Sequence, residues 1–254
     1  MKSLERMMGI LDLFEGGSAE WTVDRLRGEL GYSRATLYRY LRVLTDAGFL
    51  TTLPGIGYTL GPRIIELDFK IRTRDPLIGA ARPVMAELAA EISGVALLCR
   101  VYRDRVLCVH QESSTDLFRS TYERGKARPL LSGATSRVIL AHLPAASITR
   151  LFEAAPASFA DAGLGDSLDA VRQGLRRIRR AGWDMTVGQV TAGVTGIAAP
   201  IFDAGGNVVG SLSLALGDPN LSQDRIGFIA DRVRFCARVL TNALVREVAA
   251  PRRA

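Results

Sequence analysis

At 254 residues, with 48% hydrophobic and 23% charged side chains, the chain is long enough for two domains and has the balance of a folded globular protein, which excludes a disordered polymer. No apolar run approaches the roughly 20 residues that span a bilayer, and the first helical stretch is broken by Glu5, Arg6, Asp12 and Glu15, so the expectation is a cytoplasmic protein with no membrane partner. A formal charge of +7 suits a partner rich in phosphates.

Over residues 3–14, Leu4, Met7, Met8, Leu11 and Phe14 recur at helical spacing, and Gly16-Gly17 stops the helix. Thr22 caps a short second helix with Val23, Leu26 and Leu30 inward, ended by Gly31. Ser33 then caps a third, through Ala47, in which Leu37, Tyr40, Leu41 and Leu44 fall on one stripe. The opposite arc holds Arg34, Ala35, Tyr38, Arg39 and Arg42, with no acid before Asp46. Arginine grips phosphates or pairs with guanine in two hydrogen bonds, tyrosine donates to phosphate, and a small alanine lets backbone approach base edges. Helix, glycine turn, helix is the order of a helix-turn-helix. The β-prone runs 49–52 and 58–60 about Pro54-Gly55-Ile56-Gly57 add a hairpin, or wing. The boundaries drawn are a winged helix-turn-helix over 1–62, a linker helix over 63–75 with Ile64, Ile65, Leu67 and Ile71 among charges, and a second domain over 76–254.

The second domain opens on a helix with Leu77, Ala81, Val84, Met85 and Leu88 on one side and Pro83 as a kink or true start. Its pattern then turns to strands: 95–101 and 106–110 as a hairpin, 117–122, 183–187, 195–202 and 208–216. Pro129 is expected to open a helix through Val138, Ile139 and Leu140, and Ser167 to cap another that buries Leu168, Val171, Leu175 and Ile178. The outer face of the latter carries Arg172, Arg176, Arg177, Arg179 and Arg180 and reads as a solvated surface. Ser222 caps a long closing helix. Antiparallel strands flanked by helices make this an α+β domain. Cys99, Cys108 and Cys236 have no CxxC spacing, and with only His110 and His142 as imidazoles they read as small buried apolar residues, implying no metal and no cofactor.

Nearly the whole chain resembles the isocitrate lyase regulator (IclR) family of bacterial transcription factors. The matching residues are Ser3-Leu4-Glu5-Arg6 with Ile10-Leu11-Asp12, Thr36 and Arg39, Tyr58-Thr59-Leu60-Gly61, Pro129-Leu130, Gly193-Val194 and Ile197-Ala198-Ala199-Pro200-Ile201. The resemblance implies a winged helix-turn-helix joined to a GAF-like effector-binding domain with an antiparallel sheet, working as a homodimer or dimer of dimers on palindromic double-stranded DNA. It implies that Ser33, Arg34, Ala35, Thr36, Tyr38, Arg39 and Arg42 meet DNA. It also implies a small acidic effector between the sheet and the helix after Pro129. There Ser132, Gly133, Ala134 and Thr135 form a small-residue helix start whose amides suit a carboxylate. Ser213 matches a pocket-lining hydroxyl, and Thr186 and Gly196 stand where an acid and a cysteine are common. With Ser136-Arg137 replacing a frequent Gly-Lys, these departures point to a larger or aromatic acid. A sensor acting only through protein contacts is disfavoured by the arginine face. Catalysis is disfavoured because neither a GxSxG elbow nor a GxxxxGK[ST] loop is present.

Overall fold

The computed structural model describes residues 3–16, 20–115 and 122–249, and the chain separates into two compact units, Met1–Asp75 and Pro76–Ala254. The strand expected over 117–122 lies outside the described residues except for Tyr122.

In the first unit α1 (Ser3–Asp12) runs into a single 3-10 turn, Leu13–Glu15, and is followed by α2 (Val23–Leu30) and α3 (Arg34–Asp46). Thr22 and Ser33 cap as their sequence positions require, each side-chain oxygen accepting from the amide three residues on. Gly31 ends α2 at φ 63°, a left-handed conformation that costs glycine little. Ile10, Leu26, Leu37, Leu41 and Leu50 are sealed from solvent, each burial contributing about 1.5–3 kcal/mol. The wing pairs β1 (Leu50–Leu53) with β2 (Gly57–Leu60), Leu50 opposite Leu60. Tyr58 also exchanges two backbone hydrogen bonds of 2.9 Å with Trp21, so the residue ahead of α2 acts as a third strand. The unit closes on α4 (Pro62–Arg74), with Pro62 at the position where a missing N–H costs nothing.

The second unit is built on a six-stranded antiparallel sheet. In chain order come α5 (Pro76–Ile92), β3 (Val95–Tyr102), β4 (Arg105–Ser113), β5 (Ala127–Pro129), α6 (Ala134–Leu140), α7 (Ala145–Ala154), α8 (Pro156–Asp161), α9 (Leu168–Ala181), β6 (Asp184–Val187), β7 (Thr195–Phe202), β8 (Val208–Leu216) and α10 (Gln223–Ala249). The strands lie in the order β5-β4-β3-β8-β7-β6. Alternation sorts each strand: Leu212, Leu214 and Leu216 of β8 join the core under α5 and α10, while Ser211, Ser213 and Ala215 face α6. Trp183, just ahead of β6, packs on the α5–α10 core.

Two expectations need correction. Pro129 does not open a helix but ends the edge strand β5, where a residue without N–H is tolerated. The helix begins five residues later, after Gly133, whose φ of 83° breaks the run. Pro83 neither breaks nor begins α5; it sits inside the helix, four residues after the unbranched Gly79.

Candidate nucleic-acid interface and ligand pocket

The buried stripe of α3 is Leu37, Tyr40, Leu41 and Leu44, and its docking fixes what the other side presents. Ser33, Arg34, Ala35, Tyr38, Arg39 and Arg42 are exposed, and Thr36 is half-buried. At the start of the helix the Ser33 hydroxyl accepts from the Thr36 amide at 3.3 Å and donates to the Thr36 hydroxyl at 2.9 Å. Thr36 is thereby part of the cap. The Arg34 guanidinium lies 5.8 Å from the centre of the Tyr38 ring, whose hydroxyl raises its basicity further. Arg39 lies 5.4 Å from the Tyr40 ring, and Tyr40 in turn shares a 2.8 Å hydrogen bond with the Ser3 hydroxyl that lowers the phenol's pKa. Arg42 stands 3.6 Å from Asp46, with both side chains largely in water. Such a pair contributes little, so the carboxylate is a weak competitor for Arg42. Arg25, stacked 4.2 Å over Trp21, is an exposed cation near the wing that helical periodicity does not single out.

In the second unit, Gly133, Ala134, Thr135, Thr186, Gly196 and Ser213 come together around one small cavity of about 40 Å³. Ser132 does not line it. The amides expected to be open to a carboxylate are occupied: Gly133 donates to Gln189 Oε1 at 3.1 Å and Ala134 to Thr186 Oγ1 at 3.0 Å. The Thr135 hydroxyl donates to Ser213 Oγ at 2.9 Å, and Ser211 donates to the Thr135 carbonyl at 3.1 Å, so at this point helix and sheet are stitched by hydroxyls. Leu97, Tyr122, Val190 and Val194 supply apolar wall. Burial pushes the Tyr122 phenol well up, and its hydroxyl lies 3.3 Å from Ser136 Oγ. Leu97, Tyr122 and Val190 were not singled out from the sequence as pocket residues, because they reach the start of α6 from three distant segments. Behind the cavity Arg137 bonds the Ala162 carbonyl and stands 3.8 Å from Asp184, whose carboxyl is raised by burial and partly held down by that guanidinium. Cys99 and Cys108 are buried neighbours across β3 and β4, with Cys99 pushed up by desolvation, and Cys236 is buried on the inner face of α10.

Known proteins resemble the chain across both units. The glycerol operon regulatory protein of Streptomyces coelicolor is 28% identical over 248 residues, covering 96% of this chain and 96% of that one. The crystal structure of an IclR transcriptional regulator from Alicyclobacillus acidocaldarius superposes with a TM-score of 0.80 at 20% identity, covering 95% and 98% of the two chains. An IclR homolog from Microbacterium hydrocarbonoxydans, complexed with 4-hydroxybenzoate, gives 0.75 at 20% identity over 97% and 100%. The model of the IclR helix-turn-helix domain matches residues 3–54, and that of the bacterial transcriptional regulator IclR C-terminal region matches residues 70–242. A cap-fixed basic helix beside a wing, followed by a sheet domain matched over most of its length, places this chain in the IclR family of DNA-binding bacterial transcriptional regulators.

Proposed function

We propose that this regulator reads a palindromic operator with α3 and is controlled by a small carboxylate-bearing, aromatic metabolite held between α6 and the sheet. The observation that carries the DNA half is the exposed arc of Arg34, Tyr38, Arg39 and Arg42 on a helix whose opposite stripe is locked into the core. Arg34, at the N-terminal end of the helix, is assigned to base edges, as are Ala35 and Arg39. Arg42, with Ser33, Thr36 and Tyr38, is assigned to the phosphate backbone. Ile65, Phe69 and Ile71 of α4 leave large apolar side chains 70%, 58% and 55% exposed, which supports a paired chain, as a homodimer or dimer of dimers, with two recognition helices about 34 Å apart.

For the effector, the carboxylate takes the places now filled by Gln189 Oε1 and Thr186 Oγ1 on the Gly133 and Ala134 amides, with Thr135 and Ser213 as hydroxyl partners and Gly196 leaving room. Leu97, Val190 and Val194 suit an aromatic ring, a class also suggested by the 4-hydroxybenzoate carried by the Microbacterium homolog. Because a 40 Å³ cavity is far below a ligand's volume, binding requires the 188–194 segment to move, and that differential stability is what an effector acts on.

The test is binding of the purified protein to the intergenic DNA beside its own gene, across a salt series, with and without 4-hydroxybenzoate and related aromatic acids. Saturable binding that outlasts competitor DNA and shifts with one acid is expected. Folded protein that binds no DNA at any salt concentration would sink the operator reading, and DNA binding indifferent to every acid would sink the effector reading.

A further inference from the structure

By sequence pattern α9 is a solvated basic helix, yet its arginines divide in the fold. Arg172, Arg176 and Arg179 fall within an arc of about 60° on the helix surface and line one wall of a cleft of about 730 Å³. Arg177 and Arg180 are exposed and lie outside it. The far walls are His142 after α6, Ile148 of α7, and Phe202 and Val208 where β7 turns into β8.

The cationic groups are not equivalent. Arg179 donates from Nε to the Ala141 carbonyl at 2.8 Å, which pins its guanidinium beside the end of α6. Arg172 donates to the Thr149 hydroxyl at 3.1 Å and stands 3.8 Å from Asp169, a carboxylate almost wholly in water. Arg176 makes no hydrogen bond or ion pair with any described residue. His142 donates from Nδ1 to the Val138 carbonyl at 2.8 Å, with its ring edge-on to Phe202 at 5.0 Å, and therefore turns its other nitrogen away from the helix. Among the described residues no acidic side chain lines the cleft, while its floor is apolar through Leu143, Ile148, Leu175 and Phe202. Three guanidiniums over an apolar floor, with one of them unpaired, match an anion that carries a hydrophobic body. The cleft is also of ligand size, unlike the small cavity at the other end of α6.

We propose that this cleft is a second ligand site, distinct from the α6–sheet pocket, which takes a small amphipathic carboxylate with its charge on Arg176 and Arg179 and its apolar body against Phe202 and Val208.

The chain's two histidines give a direct readout in the full-length protein by ring proton–carbon NMR. His142 lies in the cleft, and His110, hydrogen-bonded to Glu112 at 2.8 Å on β4, serves as the internal control. The probes are hexanoate and benzoate, their neutral amides, and inorganic phosphate. The expected result is a saturable shift of the His142 resonances with the carboxylates alone, His110 staying still, and at least tenfold weaker binding in R176E and R176Q. Either variant suffices should the other misfold. Each of these results would overturn the proposal: no His142 shift, equal shifts with the amides, equal shifts with phosphate, or full-strength binding in both Arg176 variants. A shift that disappears in T135V but survives in R176E would assign the ligand to the inner pocket and equally overturn it.

Discussion

At the scale of single residues, the arginines of α3 differ in what they are free to do, and their substitution should separate affinity from specificity. If Arg34 reads a guanine, Arg34→Ala should cost about 1–3 kcal/mol at one base pair and relax selectivity there, measured by binding to a set of operators varied at single positions. If Arg42 meets a single phosphate, Arg42→Ala should weaken all sequences alike and lower the salt slope by about 1. A uniform loss at Arg34 would remove its base-reading role. In the ligand unit, Thr135→Val keeps shape but deletes the hydroxyl that bonds Ser213, a group 2% exposed. Stranding a buried polar group costs about 1–3 kcal/mol, so thermal unfolding should move down by several degrees and aromatic-acid binding should weaken together with it.

At the scale of elements, the wing is held from outside its own hairpin. Gly57 sits at φ 115°, and a methyl group there would stand 2.6 Å from the Trp21 carbonyl oxygen. Gly57→Ala should therefore break the Trp21–Tyr58 pairing and destabilise the first unit by about 1–3 kcal/mol, with weaker DNA binding; chemical denaturation followed by Trp21 fluorescence reads the former. This tie was not legible in the sequence, which makes Trp21 a residue between elements. Elements with a strong period were legible: α3 by its four-residue stripe, and β7 and β8, whose bounds match the alternating runs 195–202 and 208–216. Weakly patterned ones were not. The segment 145–161 is rich in Ala and has Pro156, and it folds as α7 and α8, whose Ile148 and Phe159 pack into one buried cluster with Val171 and Leu175 of α9. β5 spans three residues and owes its existence to its neighbour β4. Within the pocket, the small residues at the start of α6 were readable from their local sequence. Gln189 was not, since its bond with Gly133 spans 56 positions and depends on the turn that carries it back over the helix.

At the scale of the whole molecule, acid should act first on the second unit. Burial, reinforced by the charge of Arg179, holds His142 below its ordinary value near 6.5, with the bond to the Val138 carbonyl opposing the shift. The folded state thus resists protonation of this ring. Its contribution to stability is present above the unfolded value and is lost as pH falls through the lower folded one. Urea midpoints should drop as pH falls below the ordinary imidazole value near 6.5, and His142→Asn, which keeps a donor for Val138, should flatten that drop. An unchanged slope in the variant would remove His142 as its cause. The division into two units also allots the chain's two tryptophans one apiece, Trp21 beside the wing and Trp183 just ahead of β6. Trp21 has a guanidinium stacked on it, and Trp183 lies among aliphatic side chains, so the two indoles differ in environment. Replacing either with phenylalanine leaves a protein with a single intrinsic fluorophore, so the unfolding of each unit can be followed separately without a label.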